Sequence, residues 1–109
     1  MALDVNALGT QMLGAMANEL KAKWNAAKGF GESSAKSLAT ALVAIEAGRL
    51  NGSISEEQAK LLLDIHKNAA RSVLLAAEGI ALLAAEAAVN AAMKVVRDTV
   101  NTAVGFTLV

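Results

Sequence analysis

Apolar residues recur at helical spacing along nearly the whole chain, and no strand-like alternation runs long enough to compete with it. Val5, Leu8, Met12, Met16 and Leu20 form one stripe. With Asp4 as N-cap, this predicts a first helix from about Asp4 to Lys28. Gly29 and Gly31 flank Phe30, and two such glycines predict a break or kink. A second helical segment runs from Ser34 to about Leu50, with Leu38, Leu42 and Ile45 on one face. Asn51-Gly52 is the clearest turn, because both residue types accept positive φ. Ser55, followed three positions later by Gln58, reads as a capping box.

From Ser55 to about Thr102 the only stop signal is Gly79, so the pattern predicts one long helix, roughly 70 Å at ~1.5 Å per residue. Its polar positions return at intervals of eleven: Glu56, Lys67 and Glu78; Lys60 and Arg71; Glu86 and Arg97. That period keeps a stripe nearly straight along a helix. The opposite stripe of Leu62, Val73, Ala77, Ile80, Ala84, Ala88 and Val95 is then the seam for a partner helix. The arms on either side of Asn51-Gly52 match in length. The predicted fold is therefore all-α and a single domain over residues 1–109. It is an elongated antiparallel helical hairpin, its first arm kinked near Gly29–Gly31 and its second arm one long helix, packed into an oligomeric helical bundle. A compact three-helix bundle is the alternative, and it leaves half of the long helix without a partner.

Composition strengthens the expectation of assembly. Of 109 residues, 25 are alanine, and only 3% are aromatic. Alanine is the best helix former but buries little area, so a thin hairpin stabilises itself poorly. The stretch LLAAEGIALLAAEAAVNAAM (74–93) is apolar almost all round, which marks a helix covered on several sides. Val73, Leu75, Ala77, Ala81, Leu82, Ala85, Ala88, Val89, Ala92 and Met93 are accordingly the predicted homo-oligomer interface. A single-pass membrane span is not expected, because Glu78 and Glu86 cost more in a bilayer than the neighbouring leucines gain.

Elsewhere acids tend to have a basic residue four positions away: Glu19–Lys23, Glu32–Lys36, Glu56–Lys60 and Lys94–Asp98. Glu78 and Glu86 have none. The hairpin places Lys23 and Lys28 opposite Glu78, and Lys21 opposite Glu86, which predicts interhelical ion pairs. A polar lumen in an oligomer is the other reading of the two glutamates.

Ten basic and ten acidic residues balance, so no net charge draws the chain to nucleic acid. There is no cysteine, hence neither a disulfide nor a thiolate metal site. His66, the lone histidine, belongs to no Glu-x-x-His or His-x-x-x-His pair, and on the seam it reads as a packed residue. No catalytic, cofactor-binding or metal residue and no small-molecule substrate is evident. KAKWNAAK (21–28) reads as a solvated helix end. The first basic residue is Lys21, the wrong charge order for a secretory signal, so a cytoplasmic location is expected by default. The expected function is a non-enzymatic, self-assembling helical structural or scaffold protein. The rivals are a membrane-active protein with Glu78 and Glu86 facing a pore, and an adaptor that binds a partner's helix.

Overall fold

The computed structural model describes residues 2–109, and no strand occurs among them. Helix α1 spans Val5–Leu20, α2 Trp24–Leu50, α3 Glu56–Leu75 and α4 Leu82–Val104, with one 3-10 turn at Lys21–Lys23. α1 packs on α2 and α4, α3 packs on the same two helices, and α2 also reaches α4 across the middle. Successive helices reverse direction, which closes them into an up-down-up-down bundle.

Local chemistry sets several of the ends. The Asp4 carboxylate accepts from the amides of Asn6 and Ala7 at the start of α1. Ser55 and Gln58 form the expected capping box, at 2.8 and 3.1 Å. The Asn51 side chain accepts from the Ser53 amide, and Gly52 takes φ +77 in the α2–α3 turn. α4 ends where Gly105 adopts a left-handed conformation.

Two expected breaks fall elsewhere. α2 runs without interruption through Gly29–Gly31. Gly31 is needed there for close approach: a Cβ would lie 2.5 Å from the Trp24 indole, which rests on its bare backbone. The first interruption is instead at Lys21, whose φ of 52 and ψ of −118 close α1. The single long second arm is also corrected. α3 stops at Leu75, and residues 76–81 reverse the chain with Gly79 at φ +79. Ala77 and Ile80 turn inward at this bend and seal the end of the core. The molecule measures 42 × 22 × 18 Å, so no 70 Å hairpin exists. Its radius of gyration, 13.4 Å, matches the ~13 Å expected of a compact chain this long.

The bend also moves the seam. Leu62 and Val73 are half-buried and Val95 is exposed. The residues that face inward are Ala59, Leu63, Ala70 and Leu74 on α3 and Val89, Met93, Val96 and Val100 on α4. They meet Met12, Met16, Leu38, Leu42 and Ile45, as the α1 and α2 stripes predict. The accessible surface, 5883 Å², is close to the ~5,700 Å² typical of a compact monomer of 11.1 kDa. The alanine-rich chain therefore covers its own core, which the hairpin reading gave to neighbouring copies.

Polar side chains fasten the two ends. Glu46 is 1% exposed, and its two oxygens accept from the amides of Ala2 and Leu3 at 2.9 and 3.1 Å. Asn101 accepts from the amides of Leu108 and Val109 and donates to the Val109 carbonyl. Replacing Glu46 with Ala strands two amides beside a cavity, and should lower stability by about 2–3 kcal/mol in urea titrations. An unchanged midpoint would show that those amides find other partners.

Gly79 and Gly29, whose expected roles the structure exchanges, should respond with opposite signs. Gly79→Ala forces a side chain into the left-handed region and should cost about 1 kcal/mol. At Gly29, inside α2, a Cβ would meet nothing within 4 Å, so Gly29→Ala should stabilise by about 0.5–1 kcal/mol. Thermal melts of the two variants check both signs.

Candidate functional site

The α2–α3 hairpin is locked in register by Ser34, whose buried hydroxyl donates to the Ala70 carbonyl at 3.2 Å. Along its outer side lies an open groove of about 490 Å³. Ala41 and Ala70 are buried at its base, and Ser37, Thr40, Ala44, His66 and Val73 form its walls. Lys36 is the one formally charged residue on it. The Thr40 hydroxyl donates to the Lys36 carbonyl at 2.8 Å, and Ser34 is likewise committed to backbone. His66 is half-buried and forms no hydrogen bond or ion pair among the described residues. No group of three or more His, Cys, Asp or Glu able to hold a metal occurs among the described residues. The groove is thus lined mostly by uncharged side chains, and no hydrogen bond joins His66 to a hydroxyl in it among the described residues.

The charges of α3 explain why this side is bare. At 100° per residue, Glu56, Glu57, Lys60, Asp64, Lys67 and Arg71 all fall within about 100° of arc, on the flank that turns toward α4. The flank beside the groove carries Leu61, Leu62, Ile65, Ala69 and Val73 with His66. Leu61 is 62% exposed and Ile65 54%, and they stand four residues apart as a ridge next to the groove.

The predicted interface divides in two. Ala77, Ala85, Ala88, Val89, Ala92 and Met93 are buried inside the chain's own bundle. Val73 is half-buried in the groove, and Ala81 is exposed in the bend. Leu75 and Leu82 flank that bend at 38% and 51% exposure, with Leu83 beside them at 78%. The turn between α1 and α2 lies at the same end: the Lys23 ammonium comes within 3.2 Å of where a Gly79 side chain would begin.

The predicted ion pairs are rearranged by the same bend. Glu86 meets Arg71, not Lys21, with Nη1 3.2 Å from Oε1, because α4 folds back along α3. Glu78 is exposed in the loop, and Lys21, Lys23 and Lys28 are exposed as well. None of these four forms an ion pair among the described residues. The pairs expected four residues apart do not close within 4 Å either. Glu56 meets Arg49 at 3.8 Å, and Asp98 meets Arg97 at 3.7 Å.

Sequence reasoning missed Leu61 and Ile65, although a signal was present. Three consecutive leucines, 61–63, cannot all face one core, and Ile65 extends the outward member by one turn. Arg71–Glu86 had no such signal, since a separation of fifteen residues means nothing until the bend is known. Among the described residues no helix is long and apolar enough to cross a membrane. Comparison with protein-family models, with curated proteins and with solved structures finds no match.

Proposed function

We propose that this chain is a non-enzymatic, self-associating helical building block. The observation that carries the reading is the exposed leucine cluster at the α3–α4 bend: Leu75, Leu82 and Leu83. An isolated surface leucine is ordinary, but a group of them at one end of a small bundle is the mark of a contact site. All three lie in or beside the segment whose all-round apolar character pointed to assembly. The non-enzymatic part is supported by the chemistry of the groove, where the hydroxyls of Ser34 and Thr40 serve the backbone and neither Ser37 nor His66 forms a hydrogen bond among the described residues.

A second reading has its own observation. Lys21 and Lys23 are exposed at the end that carries Leu82 and Leu83, a combination suited to the surface of an anionic bilayer. It differs from self-association in needing lipid.

Sedimentation equilibrium without detergent tests the first reading. The parent chain should exceed the monomer mass at tens of micromolar, and Leu75→Lys with Leu82→Lys should give a smaller species of unchanged helicity. A monomeric parent at that concentration sinks self-association. If that monomer then co-sediments with vesicles of anionic lipid, and the lysine variant does not, the bilayer reading takes its place.

A further inference from the structure

We infer that the outer face of the α2–α3 hairpin is a second self-contact surface, and that its occupant is the same face of another copy of this chain. This rests on the self-association reading and assigns it an interface distinct from the leucine end. Three observations point to a second copy.

The first is charge. Ten acidic and ten basic residues are spread over this small chain, yet only Lys36 lines the groove. On α2 the outward positions Ser33, Ser37, Thr40 and Ala44 are uncharged, and on α3 the outward arc is uncharged as well. A face with so little charge offers little to an acidic or basic partner, and sets only the exposed Lys36 against an identical face.

The second is shape. The α3 side of the face is raised by Leu61 and Ile65, while the α2 side along the groove is low, with Thr40 and Ala44 exposed and the larger Phe30 standing more than a turn before Ser34. A ridge beside a hollow is self-complementary under a two-fold axis running along the groove. Such an axis sets the α3 ridge of each copy over the α2 side of the other.

The third is register. That operation keeps each residue at its own height along the bundle, so the ridge fits only if the hollow lies level with it. The Ser34–Ala70 hydrogen bond fixes the heights. Counting away from it along the two antiparallel helices brings Ile65 level with Ala39 and Leu61 level with Val43, each one residue, ~1.5 Å of rise, from the outward Thr40 and Ala44. The large residues therefore oppose the low ones. Both helices are at least ~30 Å long and together ~20 Å wide, a footprint of about 600 Å² before side-chain relief. A stable interface needs about 800 Å² of accessible surface per partner, so the face is of the right order.

The chain has no cysteine, which permits a direct test. Thr40→Cys and Ile65→Cys are made as separate single variants, mixed, and oxidised. The mixture should give a covalent dimer in high yield, and each variant alone should give little, because the axis keeps like residues apart. In parallel, Ile65→Lys, at an exposed site, should lower the sedimentation mass while circular dichroism keeps its helical signal. A parent chain that is monomeric at tens of micromolar overturns this interface together with the self-association reading. A parent that is oligomeric, but whose mass Ile65→Lys leaves unchanged and whose mixed variants do not cross-link, overturns this interface alone.

Discussion

A helix lined with alanine gains little from any single neighbour, because each methyl group buries so small an area. To be stable it has to be met from two or three sides at close range, and the architecture follows from that need. α4 is the most alanine-rich helix, and it lies against α1, α2 and α3. Had α3 and α4 stayed one rod, the outer half would have found no second side. Breaking the rod at residues 76–81 gives up about a turn and a half of helix and returns α4 to the core. Gly79 makes the reversal possible at no steric cost, and the burial of Ala77 and Ile80 makes it favourable.

Polar groups inside the bundle serve its connections. Glu46 holds the segment before α1, Asn101 holds the tail after α4, and Ser34 pins α2 to α3. Arg49 joins two further parts, donating to the Ile54 carbonyl in the α2–α3 turn and lying 5.2 Å from the centre of the Phe106 ring. With these groups spent this way, and only the buried Arg49 Nε without a partner among the described residues, what remains open to other molecules is the surface. There charge is sorted, with the ionised side of α3 turned to α4 and its bare side turned outward beside α2.

Some of the candidate surface was legible before the fold, and some was not. Leu75 and Leu82 belong to the stretch that is apolar almost all round, and they are exposed. Val89 and Met93 belong to the same stretch and are buried, because the bend rotates α4 relative to α3 and carries them into the core. One misplaced loop thus divides a set of residues that straight-helix geometry keeps together. The same loop exchanges Lys21 for Arg71 as the partner of Glu86.

What the sequence by itself determined is local. Helical periodicity, the absence of proline, the caps at Asp4 and Ser55 and the Asn51-Gly52 turn settle an all-helical chain and the α2–α3 hairpin with its approximate register. They also settle the inward residues of α1 and α2, since each of those stripes lies within one unbroken helix. Tertiary structure alone decided where the remaining reversals fall. Residues 76–81 include three alanines, which favour helix wherever they stand, and Gly29 and Gly31 look like a break. Local preference therefore pointed the wrong way at both places. At the bend it was outweighed by contacts between residues far apart in the chain, the cover offered by α1 drawing α4 back. Within α2 the Trp24 ring packs over the bare backbone of Gly31 seven residues on.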